Sequence, residues 1–143
     1  MHNFLFFFFI MSITHFLSLL KNAHTARISV IEYPPSKQIL PILDILQDFG
    51  YIRGYRINHM PSGNPLKMRK GITSGIVEIL SRYKNRRPAI SDIKKNRPFY
   101  ISSNNLSSLF GHGLFIIPTS QGLMSHFTAH KLHIGGQVLC HIS

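Results

Sequence analysis

The chain has 143 residues, with 16 Lys and Arg against five acids and a formal net charge of +11 with histidine neutral. That length suits one domain or two small ones sharing an interface, and the charge marks a binder of polyanions. A single cysteine, Cys140, excludes a disulfide within the chain and argues against a cysteine-built zinc site; its apolar surroundings read as core.

The first apolar run, Phe4 to Ile10, is too short to span a bilayer. It has no basic segment before it and no small-residue cleavage site after it, so signal-peptide logic fails as well. Residues 1–11 therefore read as an N-terminal extension, disordered or absent from the mature protein. From there Ile13, Phe16, Leu17 and Leu20 fall on one helical face, with Ser12 suited to the N-cap. Residues 27–33 are β-branched and read as a strand closed by Pro34 and Pro35. Ser36 suits the cap of a second helix whose face holds Ile39, Ile42, Leu43 and Leu46 and whose stop is Gly50. Pro41 makes that helix start late or kink. Residues 51–57 and 76–83 read as strands, and the Gly- and Pro-bearing stretch 59–75 between them as a loop.

Asn85, Arg86, Arg87 and Pro88 read as a hinge. Beyond it, strands are expected at 89–93, 99–102, 114–117 and 138–142, with short helices at 105–110 and 125–132. The fold class is α+β in two small domains: an N-terminal α-β-α-β-β unit over 12–84 and a mostly β C-terminal unit with a short helix over 85–143.

Catalytic signatures are missing. There is no Gly-x-Ser-x-Gly elbow, no phosphate loop of the Gly-x-x-x-x-Gly-Lys type and no His-Glu-x-x-His. The five acids all lie at or before Asp92, leaving Thr119 and Ser120 without a neighbouring acid to orient a base. His126, His130 and His133 share a helical face, a spacing that suits zinc, but no acid stands near them; they read as a polar face turned to solvent or phosphates. No cofactor, metal or small-molecule substrate is expected, and no membrane association.

The basic residues point to RNA. Arg82, Lys84, Arg86, Arg87, Lys94, Lys95 and Arg97 run together, interleaved or followed by Tyr83, Phe99 and Tyr100. Cations neutralise phosphates and rings stack on unpaired bases. Near the C-terminus an apolar strand enters Thr119-Ser120-Gln121-Gly122, whose hydroxyls suit base edges or ribose and whose glycine permits close approach. Gly135 and Gly136 follow, then a last strand.

These motifs resemble bacterial-type small-subunit ribosomal protein eight. The likeness runs through the Phe16–Ala23 stretch of the first helix, Pro35-Ser36-Lys37 before the second, Leu46 to Ile52, Arg97-Pro98 with Tyr100, and nearly all positions from Gly113 onward, including Thr119-Ser120-x-Gly122-x-Met124-Ser125. The resemblance implies a structural protein of the small ribosomal subunit. It would bind the central domain of small-subunit ribosomal RNA, support assembly, and contact neighbouring small-subunit ribosomal proteins. By carry-over, Thr119, Ser120, Gly122 and Ser125 would form the main RNA loop, Tyr100 would offer a ring, and Lys21, Asn22, Ser36 and Lys37 would serve the N-terminal unit. Arg86, Arg87, Lys94, Lys95 and Arg97 would meet phosphates. Pro118 and Gln137 depart from the family's usual Ser and Glu, as do the long 59–75 loop and the short 95–97 link. With the Phe- and Ile-rich composition, these departures suggest a mitochondrial ribosome, the alternatives being a plastid or the bacterial cytoplasm. A non-ribosomal RNA-binding or assembly factor is the alternative function.

Overall fold

The computed structural model describes residues 2–58, 75–95 and 99–143, with backbone alone for residues 2–11. Most of the 59–75 stretch, with Lys67, Arg69 and Lys70, lies outside the described residues, as do Arg97 and Pro98.

Helix α1 spans His2–Thr25. It begins well ahead of the N-cap expected at Ser12, so the extension read as disordered has helical backbone. Residues 2–11 contain neither Gly nor Pro, and a nucleated helix gains one hydrogen bond for each further residue fixed. The expected face is the buried one: Ile13, Phe16, Leu17 and Leu20 are each 0 % exposed. Phe16 meets Tyr33 edge-on at 5.0 Å between ring centroids, and burying a side chain of that size contributes about 1.5–3 kcal/mol. Arg27 takes φ of 58° in the turn after α1, so strand β1 starts only at Val30 and runs Val30–Tyr33.

Helix α2 is Leu40–Asp48. Ser36 is not its cap. The Ser36 carbonyl instead accepts from the amides of Ile39 and Leu40 at 3.1 and 3.3 Å, forming a lead-in turn, and Pro41 occupies the first helical turn, where its missing N–H costs nothing. The helix stops at Gly50, with φ of 75°. There the Tyr51 amide donates to the Leu46 carbonyl at 2.9 Å and the Gly50 amide to the Gln47 carbonyl at 3.1 Å, which satisfies two orphaned helix carbonyls. Strands β2 (Ile52–Asn58) and β3 (Ile76–Ser81) follow, and an antiparallel sheet forms in the order β1-β3-β2. The expected α-β-α-β-β order holds.

The segment read as a hinge is a hairpin. Strands β4 (Tyr83–Lys84) and β5 (Arg87–Pro88) pair across Asn85 and Arg86, whose φ values are 51° and 65°. Two positive φ values in a two-residue turn match the twist of the flanking strands.

The C-terminal half holds β6 (Ile93–Lys94), β7 (Phe99–Ile101), a 3-10 helix (Ser103–Leu109), β8 (Leu114–Thr119), β9 (Gly122–Ser125), α3 (His126–Lys131), β10 (Gly136–Val138) and β11 (Cys140–Ile142). One sheet runs β6-β11-β8-β9 and a two-stranded one β10-β7. Three expectations change. The strand at 89–93 shrinks to Ile93 and Lys94. The strand at 138–142 splits around Leu139, whose amide donates to the Ile116 carbonyl at 2.9 Å, so its two parts join different sheets. A strand, β9, stands between the hydroxyl-rich turn and α3.

Two cores explain the continuous apolar run of β8. Leu114 and Ile116 join Cys140, Ile142, Ile90 and Ile93 in a core shared with α1, α2 and the first sheet. Phe115 and Ile117, on the opposite face, pack with Ile101, Leu106, Met124, Ala129 and Val138. Both faces of the strand are buried, so it shows no polar alternation. The larger core crosses the 84/85 boundary expected from the sequence. Cys140 is fully buried, and burial pushes its thiol up to about 12.

Candidate nucleic-acid interface

The β8–β9 turn is built by its own side chains. Thr119 and Gly122 pair across it, and the Thr119 hydroxyl donates to the Gly122 carbonyl at 2.9 Å and accepts from the Gln121 amide at 3.2 Å. Thr119 therefore shapes the turn, while Ser120, Gln121 and Gly122 are exposed. Gly122 has φ of 108°, and a Cβ there would meet nothing within 4 Å. The glycine answers a backbone requirement and leaves open space above it. Ser125 plays a different part. It is 2 % exposed and its Oγ accepts from the Thr128 amide at 3.2 Å, capping α3.

Tyr100 lies on a separate strand, joined to this turn through β10. It lies on β7 opposite Gln137 of β10 and is 74 % exposed. The two glycines between them act as spacers. A Cβ on Gly135 would sit 2.9 Å from the Tyr100 hydroxyl, and one on Gly136 would sit 2.6 Å from Ile117 Cγ2 and 3.5 Å from Thr119 Cγ2. The Gly135-Gly136 pair thus brings an exposed ring and an exposed hydroxyl turn to the same end of the C-terminal half.

A second group forms around a groove of about 400 Å³ between α1 and β6, lined by Ser18, Lys21, Asn22 and Lys95. Lys95 bonds the Ser18 hydroxyl. Lys21 pairs with Asp92 at 2.6 Å, which holds the Asp92 carboxyl below the usual carboxylate range. This exposed pair contributes little to stability and leaves Lys21 free to exchange Asp92 for a phosphate. Lys94, exposed on β6, pairs with His141 of β11, which pairs in turn with Phe115 of β8. The 119–122 turn lies beyond Thr119 on that same β8, so strand geometry separates it from Lys94 by about 13 Å along and about 10 Å across the sheet.

Arg86 and Arg87 are exposed on the β4–β5 hairpin, and Lys37 is exposed on the turn before α2 beside half-buried Ser36. Tyr83, expected among the stacking rings, spends its hydroxyl on the Ile28 carbonyl at 2.9 Å.

A family profile described as Ribosomal protein S8 matches residues 12–143. The chain belongs to that family. It is 37 % identical over 136 residues to small ribosomal subunit protein uS8 of Wolbachia sp. subsp. Brugia malayi, covering 92 % of this chain and 95 % of that protein. It is 36 % identical over 133 residues to the uS8 protein of Anaplasma marginale (strain Florida), covering 90 % and 93 %. With that of Caulobacter sp. (strain K31) it shares 33 % over 131 residues, covering 88 % and 92 %.

In this S8-family chain the histidines of α3 do not form a solvent face. His126 is 0 % exposed, and its Nδ1 accepts from the Phe115 amide at 3.2 Å. Phe110 and Phe115 stand 5.7 and 5.4 Å from its ring. Among the described residues no three of His, Cys, Asp and Glu come together as a metal group. Helical spacing grouped the three histidines, but α3 ends at Lys131 and His133, with φ of 55°, lies beyond it, and which side of α3 faces the core depends on β8.

Burial holds His126 below its ordinary value, and nearby His141 adds to this. The amide bond acts in the same direction, since it needs an unprotonated Nδ1. Burial lowers His24 likewise. A lowered folded-state value favours the neutral form, so the stabilisation is present above the unfolded value of 6.5 and lost as pH falls through the folded value. Melting temperature is expected to be flat between about pH 7.5 and 8.5 and to fall on acidification below about pH 6.5. His126→Gln should flatten part of that fall. An identical pH profile in the variant would show that His126 does not titrate with unfolding.

Proposed function

We propose that this chain is a structural protein of the small ribosomal subunit that binds the central domain of its ribosomal RNA and contacts neighbouring small-subunit proteins. The observation that carries the reading is the exposed Ser120–Gly122 turn beside Tyr100, on a chain of net charge +11. The phosphates meet Lys and Arg; the turn and the ring read the RNA locally. A non-catalytic role is supported by the match to the Ribosomal protein S8 family over residues 12–143. Among the described residues no helix is long and apolar enough to cross a membrane.

Co-sedimentation of the tagged chain with small subunits through a high-salt cushion tests this reading. Retention in the subunit peak is expected; release into the soluble fraction with RNA binding intact would favour a non-ribosomal assembly factor. We read the particle as a mitochondrial ribosome, from the Phe- and Ile-rich composition and the departures at Pro118 and Gln137; organelle fractionation of a tagged chain decides between this, a plastid and the bacterial cytoplasm.

Two expected results bear on the boundaries of the interface. Ser120→Ala should weaken cognate RNA binding by about 1 kcal/mol, the worth of one hydrogen bond, and binding of scrambled RNA far less. A filter-binding titration measures both; equal losses would mean that the turn reads nothing specific. Deleting residues 1–11 should leave cognate affinity unchanged, because the family match begins at residue 12. A large loss would assign the extension a binding role.

A further inference from the structure

We propose that the cleft at the C-terminal end of α2 is a second phosphate site, which takes a phosphodiester of the RNA backbone apart from the 119–122 turn. The proposal rests on the reading that this chain binds RNA. The cleft is open, about 590 Å³, and lined by Gln47, Ile52, Arg53, Ser81, Arg82 and Tyr83. It brings the end of α2 and the start of β2 against the end of β3, which pair through Ile52 and Ser81.

Its chemistry is one-sided. Two guanidinium groups line it, and among the described residues neither forms an ion pair: the ion pairs there are Lys21 with Asp92 and Arg56 with Glu78. Asp48, beside Gln47 on α2, therefore pairs with neither arginine. Like charges sharing a cleft repel unless an anion lies between them. Arg82 is held in place, since Nη1 donates to the Gly50 carbonyl at 3.4 Å and a Cβ on Gly50 would sit 2.8 Å from that nitrogen. That contact caps the end of α2 and spends one of five guanidinium donors. Arg53 is exposed. The Ser81 hydroxyl is buried without a partner, in a residue 4 % exposed. Buried hydroxyls are normally hydrogen-bonded, and a phosphate oxygen drawn in by the arginines would supply an acceptor. The Gln47 amide adds donors on α2. Guanidinium forks match phosphate oxygens bidentately.

An RNA strand fits better than a free nucleotide. The cleft is open rather than enclosed, so it offers no slot that would bury a base. A backbone phosphate needs none.

The test has two arms on the full chain. In the first, inorganic phosphate is titrated at constant ionic strength against chloride while the Nε–H resonances of Arg53 and Arg82 are followed by NMR. Saturable shifts at both arginines are expected. In the second, filter binding of cognate RNA over a salt series compares wild type with Arg53→Ala and Arg82→Gln. Each variant should flatten the slope of log affinity against log salt by about 0.7–0.9, whereas Ser120→Ala should leave the slope unchanged. Circular dichroism melts guard against misfolding; Arg53→Ala, which removes an exposed side chain, decides the outcome if Arg82→Gln unfolds. Shifts with phosphate but unchanged RNA slopes would overturn the RNA assignment and make the source a free phosphate. The absence of both effects would overturn the site. A wild type without RNA affinity would instead overturn the functional reading, and the phosphate arm would still decide the cleft.

Discussion

Gly136→Ala is expected to destabilise the protein by about 1–3 kcal/mol, the range for overpacking a buried site. The usual effect of this exchange has the opposite sign: where the native backbone accepts alanine, Gly→Ala stabilises by about 0.4–1 kcal/mol through the unfolded chain. Gly136 lies in strand β10 and its φ is not in the positive region, so conformational strain is not the issue. Contact is. The added Cβ would stand 2.6 Å from Ile117 Cγ2 and 3.0 Å from the Pro118 carbonyl oxygen. Ile117 is 0 % exposed in the second core and the Pro118 carbonyl is backbone, so neither has space to retreat. Strand β10 must move away from β8, and with it the partner strand that carries Tyr100. Urea unfolding measures the loss of stability. Affinity for cognate RNA should fall further than for Ser120→Ala, because the ring and the turn lose their common spacing together. A stabilised variant would show that β10 and β8 are not packed as described.

Replacing both Arg86→Gly and Arg87→Gln should weaken RNA binding about 20-fold at 0.15 M salt and flatten the log–log salt slope by roughly 1.5 units. Two phosphate contacts are lost, each of which releases somewhat under one counterion. Glycine is the clean choice at position 86. Arg86 holds φ of 65° after Asn85 at 51°, and Asn-Gly is the preferred pair for such a turn. The hairpin should therefore persist or tighten while its charge disappears. Scrambled RNA should lose as much as cognate RNA, since phosphates carry no sequence. An unchanged slope, with the fold intact by circular dichroism, would reduce this hairpin to a solvated surface.

The apolar spacing of α1 and α2 was legible residue by residue. Each position placed on the buried faces, from Ile13 to Leu20 and from Ile39 to Leu46, is at most 1 % exposed. Helix period alone fixes such a face, because neighbours three and four apart share a side whatever the helix meets. Gly50 was legible as a stop for a similar local reason. Misreadings arose where local signals compete. Asn85 and Arg86 suggested a flexible hinge, yet the backbone there closes a hairpin. Ser36 suggested a cap, yet Pro41 places the helix start later. Strand β9 was missed because it needs β8 beside it to form.

By itself the sequence determined the α+β order, the polyanion-binding charge, the turn at 119–122 and the family. These are properties of composition, of short-range periodicity and of motifs read in order. Only the tertiary structure decided which groups are free to act. Ser125 and Thr119 carry the same chemistry as Ser120, but one caps α3 and the other braces its own turn, so Ser120 alone of the three presents an unspent exposed hydroxyl. His126 went to the core through contact with β8. Arg53 and Arg82, distant along the chain, came to one cleft through the pairing of β2 with β3. Burial and hydrogen-bond partners are set by segments far apart in the chain, and no local pattern encodes which of them will meet.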